Sequence, residues 1–457
     1  MKACILANVG NRDLMFEAGE IHPARIRGEE IFKDIESHKN NLSMPLISPV
    51  VEWIRKNHPE TQLDLMLFCT NQKDEKHRAR DTVYFAECIK KLLSGQTPFQ
   101  KVSKVEITSN PNLYDDMFEF FQTELSQRCE KMNSAYEKLF ISLAGGIPAC
   151  NMALCFHAIG FFQEKAVPVY PLEGRNEAVP LQIGEQIINN FRKSSLRDYL
   201  KHYDYAAVIP LLEGLGMDDC ARLVQSALAR LSFNFDDAIA ILDDVINRKR
   251  GDTRNFALSI KSDLERLSRK ELKFLILELL HNARIKLACG EYIDFLGRVH
   301  RFSEAALRYI VENKDILGIH TDIDTNGRSF TQFNKSISQE PDLVAFLKSK
   351  QYGSEPLNYK QPYIPTLLAI LEFAKQKDHA FDLTFLHERI SLLDNLSSLR
   401  NRSPLGHGFE GVSLEKIEEK INGFCIQYLF DIVKKLGIAN IIDPYEQVHE
   451  FVQKRLI

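Results

Sequence analysis

Leu139-Phe140-Ile141-Ser142-Leu143-Ala144-Gly145-Gly146-Ile147-Pro148, running on to Gln163, decides how the first half of this chain folds. The apolar run 139–143 has the length of a strand. Two glycines break it, and Pro148 suits the first turn of a helix, where its missing N–H costs nothing. The segment therefore reads as strand, tight turn, helix. Outward from it the same pattern recurs: strands at 3–7, 63–69, 102–107 and 167–172, and helices at 27–37, 49–57 with Ser48 as cap, 82–93, 114–131 and 148–163. Strands alternating with helices specify a parallel sheet covered on both faces, so residues 1–183 form a Rossmann-like α/β domain.

Open sheets of this kind bind ligands beyond the carboxyl ends of their strands. Three loops lie there: Asn8-Val9-Gly10-Asn11-Arg12-Asp13, Thr70-Asn71-Gln72, and Ala144-Gly145-Gly146-Ile147-Pro148. Paired glycines let backbone N–H groups approach an anion or a polar ring closely, although a plain strand-to-helix turn needs them equally. No Gly-x-Gly-x-x-Gly follows a strand and no Gly-x-x-x-x-Gly-Lys-Ser/Thr occurs, which disfavours a dinucleotide cofactor and a P-loop nucleotide site.

From residue 184 the strand signals largely vanish. Helical patterns run through 187–201, 205–213, 218–231, 235–248, 269–288, 291–312 and 363–376, with polar or proline-bearing excursions at 321–336 and 350–365. No period repeats three times, so a solenoid is not supported. The reading is a helical connector at 184–265 and an all-α domain at 266–457. Arginines and lysines crowd 266–308, but Glu265, Glu271, Glu278, Glu291 and Glu304 are interleaved, which predicts an ion-paired surface with at most a subset facing phosphate.

Near the end stands Arg400-Asn401-Arg402-Ser403-Pro404-Leu405-Gly406-His407-Gly408, between helical patterns at 381–399 and 414–436. Pro404 and the glycines force a bend there. Arginine can hold a phosphate with a fork of donors, and histidine moves protons near neutral pH, so the pair contains the groups needed to cleave RNA without a metal. An ordinary solvated turn between helices would also accommodate these residues.

The formal net charge of -4 leaves no global basic footprint, so a nucleic acid would have to bind at a local patch or groove. Nine cysteines with no Cys-x-x-Cys pair argue against a zinc or thioredoxin-like site and against a closed disulfide framework; Cys150 and Cys155 read as buried thiols. The N-terminus lacks a secretory apolar region, and no apolar run reaches the roughly 20 residues of a membrane span, which points to a cytoplasmic protein.

In their order, these motifs resemble the CRISPR-associated CARF-HEPN ribonucleases. The loops at Asn8–Asn11 and Ser142–Pro148 are similar to the ligand loops of CARF domains, which sense cyclic oligoadenylates made by type III CRISPR complexes. Arg400-Asn401 with His407 resembles the HEPN signature, and Gly290-Glu291-Tyr292 through Arg298, Arg301 and Glu304 resembles the helix preceding that active site. The resemblance implies a cyclic oligoadenylate-activated, metal-independent endoribonuclease that cleaves single-stranded RNA to a 2',3'-cyclic phosphate. It also implies a homodimer that needs no stable complex with the CRISPR effector and no cofactor beyond the activator. Implied catalytic residues are Arg400, Asn401, Arg402 and His407; both arginines satisfy the family spacing, and Asn401 favours Arg400. Implied ligand residues are Gly10, Asn11, Arg12, Asp13, Thr70, Asn71, Gly145, Gly146, Ile147 and Pro148, with Ile147 standing where the family commonly has a small polar residue. Some relatives also cleave the bound ring, for which no residue stands out here. The alternative is a ligand-regulated binding protein or transcription regulator with a non-catalytic helical domain, although no helix-turn-helix with a basic recognition helix is recognisable.

Overall fold

A computed structural model of the chain describes residues 1–172, 175–322, 330–376, 382–438 and 442–456. It divides into two compact units, Met1–Arg192 and Lys193–Ile457.

The first unit is built on a six-stranded sheet of β1 (Lys2–Asn8), β2 (Gln62–Thr70), β3 (Phe99–Ile107), β4 (Lys138–Ser142), β5 (Ala166–Pro171) and β6 (Ala178–Pro180), in the order β3-β2-β1-β4-β5-β6. All neighbours are parallel except β5 and β6. Successive side chains of a strand point to opposite faces. Ala3, Ile5 and Ala7 therefore join Leu63, Leu65 and Leu67 in one core, closed by residues such as Val50, Ile54, Phe85 and Ile89. Cys4 and Leu6 join Leu139 and Ile141 in the other, under Phe121, Leu125, Ala153 and Leu154. Both faces are apolar because helices cover both, as the near-continuous hydrophobic strands required. Cys150 and Cys155 are buried thiols whose pKa burial pushes up to about 12 and about 11.

The sheet departs from the sequence reading in details. The antiparallel edge strand β6, the small sheet Met15–Phe16, Gly19–Glu20, Leu42–Ser43 and the hairpin Gln351–Tyr352, Glu355–Pro356 are too short to leave a periodic signal. Ser48 is not a cap: its helix begins at Ile47, no side chain caps it, and the Ser48 N–H donates to Met44 O. The helix expected over 114–131 stops at Ser126 and resumes as Cys129–Ala135, and that over 27–37 becomes Ala24–Lys33 and Ile35–His38.

The second unit is helical. Leu272–Ala288 and Tyr292–Glu312 pack as an antiparallel pair through the turn at Cys289 to Glu291, and the helices around them enclose a large apolar core that includes Phe295, Phe302, Leu386, Ile390 and Leu429. A second core holds Leu196, Leu223, Leu242 and Leu264 together with Tyr445 and Val448 of the last helix, Pro444–Gln453. Arg230 lies at its edge, its Nε and Nη2 donating to Glu278 Oε2 at 2.8 and 2.7 Å, while the Tyr445 hydroxyl donates to the other oxygen of the same carboxylate. The expected helix over 414–436 is two, Leu414–Ile421 and Cys425–Lys435. Asn422 ends the first in the left-handed conformation at φ +53°, and Gly423 follows. Of the excursion at 321–336, residues 323–329 lie outside the described ones, as does Phe381 at the start of the 381–399 pattern; Thr331–Ser338 is helical. Among the described residues, no helix is long and apolar enough to cross a membrane.

Candidate functional sites

The strand order reverses between β1 and β4, which are neighbours with β2 and β5 on their outer sides. The loops leaving them meet at that point, where an open sheet forms its ligand crevice. A cavity of about 440 Å³ lies there. Its lining includes Asn8 to Asp13, Thr70, Gln72, His77, Arg80, Thr82, Asn112, Ala144 to Ile147 and Cys150. Of the residues expected from sequence, Gly10, Asn11, Arg12, Asp13, Thr70, Gly145, Gly146 and Ile147 are thus brought together. Asn71 and Pro148 do not line the cavity. Asn71 turns sideways, accepting from Arg25 Nη1 at 2.8 Å and donating to Glu106 Oε2 at 2.8 Å, and Pro148 opens its helix. His77, Arg80, Thr82 and Asn112 were not singled out; the only signal for Thr82 was its place at the start of the helix after β2.

The glycines have a geometric cause. A Cβ on Gly10 would sit 2.4 Å from Gly146 N, and one on Gly145 would sit 2.2 Å from Asp13 Oδ2 and 2.4 Å from Asn8 O. Gly146 also holds φ +78°, which side-chain-bearing residues avoid. The two loops interlock, so these residues shape the wall of the cavity as well as lining it. Asp13 is 1% exposed and accepts from the Gly10 N–H at 2.7 Å; burial pushes its pKa up to about 7, against the pull of the Gly10 N–H and the Arg12 charge. Behind the rim, Thr82 Oγ1 donates to Val9 O at 2.9 Å, and buried Asp81 accepts from Gln72 N, Gln72 Nε2 and Arg25 Nη1, which locks the second loop to the helix that follows it. Asn8 donates to Asn151 Oδ1 at 2.8 Å, whereas its own Oδ1 is buried without a partner.

In the second unit, the helix Leu383–Asp394 is followed by the short helix Ser397–Arg402, and the chain then folds back over the end of that helix. The His407 N–H donates to Asn401 O at 2.9 Å, Gly406 N to Ser403 O at 3.0 Å and Glu410 N to Arg402 O at 2.9 Å. Buried Ser403 braces the turn, its Oγ donating to Arg400 O at 2.7 Å and accepting from Leu405 N at 3.3 Å. Carbonyls that a helix end leaves without intrahelical partners are in this way satisfied by the bend. Arg400, Asn401, Arg402 and His407 are consequently held at one junction, with His407 exposed.

The two arginines point to different surroundings. Arg400 donates through Nη2 to Asn401 Oδ1 at 2.7 Å and lines a cavity of about 300 Å³ with His300, Arg301, Glu304, Tyr352, Tyr363, Asp394 and Asn401. Arg402 pairs with Glu410 at 3.3 Å on the surface. His407 does not line the Arg400 cavity. Within that cavity, burial and then the nearby Arg400 charge lower the His300 pKa to about 4, so its ring is neutral at pH 7. Burial raises the Asp394 carboxyl, with Arg400 opposing. Burial would also raise Glu304, but Arg308 and Arg301 override it and hold that carboxylate low. The ion-paired surface expected along 266–308 is visible in Arg269 with Glu271, Arg284 with Asp443, Lys286 with Glu291 and Arg301 with Glu304, whereas Arg308 pairs with Glu304 as a buried residue.

The fold class is an α/β domain with a ligand-sized crevice at its strand ends, followed by a helical domain carrying an arginine-histidine bend. Residues 259–453 match the family model of the Cas_Csm6 HEPN domain. The whole chain shares the fold of Enterococcus italicus Csm6 bound to cyclic hexa-2'-fluoro-hexa-dAMP, with TM-score 0.59, 13% identity and 100% of both chains covered. No curated protein matches the sequence. The match at 259–453 is to a HEPN domain of the Csm6 kind, and the likeness over the whole chain is one of fold.

Proposed function

We propose that this protein is a cyclic oligoadenylate-activated endoribonuclease of type III CRISPR defence, cleaving single-stranded RNA in the cytoplasm as a homodimer and without a metal. The observation that carries the reading is the bend that holds Arg400, Asn401, Arg402 and an exposed His407 together within the segment matching the HEPN family. An RNA 2'-hydroxyl attacks the adjacent phosphorus, the bond to the 5'-oxygen breaks, and a 2',3'-cyclic phosphate and a 5'-hydroxyl result. His407 carries a proton, either from the attacking oxygen or to the leaving one. The guanidinium of Arg400 or Arg402 offsets the charge that builds on the phosphoryl oxygens, and Asn401 orients Arg400 through its side-chain amide oxygen. One chain presents one such histidine, and a two-fold partner supplies the second. RNA is required because DNA lacks the attacking hydroxyl.

The activator would lie in the crevice of the first unit. Asn8 Oδ1, buried without a partner, is an acceptor for a ligand N–H or O–H, and the N–H groups of the glycine loops suit phosphates. A volume of about 440 Å³ is of the size that encloses one drug-sized molecule, too small for a ring of several nucleotides. A ring shared across a two-fold axis by two such cavities resolves the mismatch and ties activation to the dimer. The division into a sensor at 1–183, a connector at 184–265 and a nuclease domain at 266–457 belongs to this proposal.

The test is incubation of the purified protein with fluorescent single-stranded RNA and a panel of cyclic oligoadenylates, with and without EDTA. His407→Ala is expected to lower cleavage by about 10²- to 10⁴-fold while ligand binding persists. Retained cleavage removes His407 from the mechanism, and loss of activity in EDTA points to metal chemistry.

A further inference from the structure

Beside the Arg400 cavity lies a second one of about 650 Å³, and the two share Arg301, Glu304 and Tyr363. Together they form one groove, with Arg400 toward one end and Arg298 and Arg308 toward the other. Two tyrosines stand in it largely uncovered, Tyr352 at 58% and Tyr363 at 51% exposure. Neither is loosely placed. Tyr352 belongs to the short hairpin Gln351–Tyr352, Glu355–Pro356, and Tyr363 precedes the Ile364-Pro365 start of a helix, its ring T-shaped to that of Phe330 with centroids 6.0 Å apart. Large rings left in water beside guanidinium groups suit a ligand that offers flat faces and negative charge together. The unpaired bases and phosphates of a single strand offer both, whereas a duplex keeps its base faces stacked inside. Glu304 accepts from Arg301 Nη1 at 2.7 Å and from Arg308 Nη2 at 2.9 Å, which tethers the two guanidinium groups in the groove lining. The Arg301 side chain remains 69% exposed beyond that contact.

We propose that this groove seats the nucleotides flanking the cleaved linkage of a single-stranded RNA, with Tyr352 and Tyr363 as stacking platforms for bases and Arg301 as a phosphate contact. The assignment rests on the ribonuclease reading and adds where its substrate lies. Glu304 is a positioning residue, since it acts on RNA only through the arginines.

The experiment measures fluorescence anisotropy of a labelled, unstructured RNA with the full-length His407→Ala protein, which binds without turnover, in the presence of the same panel of cyclic oligoadenylates. Tyr363→Ala and Tyr352→Ala in that background are each expected to weaken binding about tenfold, in line with the loss of one stacked base. Tyr363→Phe and Tyr352→Phe, which keep the ring, are expected to bind like the parent. Arg301→Ala is expected to lower the slope of log affinity against log salt by about 0.7, one phosphate contact on a single strand. With His407 restored, the alanine variants are expected to raise KM and leave kcat near the parent value. Unchanged affinity in both alanine variants overturns the proposal, as does an equal loss in the phenylalanine variants. Tyrosine-dependent binding by a protein that cleaves no RNA supports the groove and defeats the catalytic reading; an absence of RNA binding defeats both.

Discussion

Gly408→Ala is the sharpest probe of the bend. A Cβ at residue 408 would stand 2.1 Å from Arg402 O and 2.6 Å from Arg402 C, whereas real Cβ atoms keep at least 3.0 Å. The obstacle is backbone, so no rotamer change relieves it, and the loop must retreat from the helix end by about 1 Å. That movement pulls on the bonds from Gly408 N to Ser403 O and from Glu410 N to Arg402 O, and it shifts the imidazole one residue away relative to both arginines. Displacement of a catalytic group by about 1 Å costs roughly 10²-fold in rate. The stability cost is smaller, about 1–3 kcal/mol for overpacking, because the strained segment is at the surface. Gly411→Ala is the internal control, since a Cβ there meets nothing within 4 Å. Single-turnover cleavage of labelled RNA with activator, run beside thermal melts and activator binding, separates the effects. The expected pattern is a roughly hundredfold slower Gly408→Ala with near-parental activator affinity, and a near-parental Gly411→Ala. Parental cleavage by a folded Gly408→Ala would show that the close packing of this loop on the helix end does not set the catalytic geometry.

Two further perturbations follow from buried charge. The native-state pKa of Asp13, about 7, lies above its ordinary 3.8, so between those values the folded protein keeps a proton that the unfolded chain has released. Stability from this residue is therefore full below about pH 4, falls as pH rises, and levels off above about pH 7; the part lost between pH 5 and 7 is about 2–3 kcal/mol. Asp13→Asn removes that slope, and denaturant titrations of parent and variant across pH 4–8 check it, with parallel profiles refuting the assignment. In the second unit, Glu278→Ala leaves the Arg230 charge buried without its partner and is expected to destabilise by about 3–5 kcal/mol, whereas replacing Arg230 and Glu278 together with methionine and leucine is expected to cost less, the buried Tyr445 hydroxyl losing its acceptor in both variants. Chemical denaturation of the two variants distinguishes the outcomes, and equal losses would count against an uncompensated charge as the cause.

How much was legible in the chain depended on the range of the signal. Five central strands and the helices between them were readable because burial on both sheet faces writes apolar runs into contiguous residues. The bend at Pro404 to Gly408 was readable because proline and glycine restrict the backbone wherever they stand. The break at Asn422-Gly423 was missed because the apolar periodicity continues across it, and only the left-handed turn divides the helix. The chemistry-bearing motifs were visible as residue types, but their surroundings were not. Arg400 and Arg402 fit the same spacing, yet one lines a cavity with a neutral His300 and the other pairs with Glu410.

The amino-acid order alone established a two-part architecture, a doubly covered parallel sheet followed by helices, and the identity of the groups at the bend, since periodicity and backbone restriction are local properties. Only the folded chain decided that Gly10 interlocks with Gly146, that Asn71 turns away from the crevice while Thr82 and Arg80 line it, and that Tyr352 and Tyr363 share a groove with Arg400. Those relations join residues tens to more than a hundred positions apart. They follow from strand order and helix packing, which no window of neighbouring residues contains.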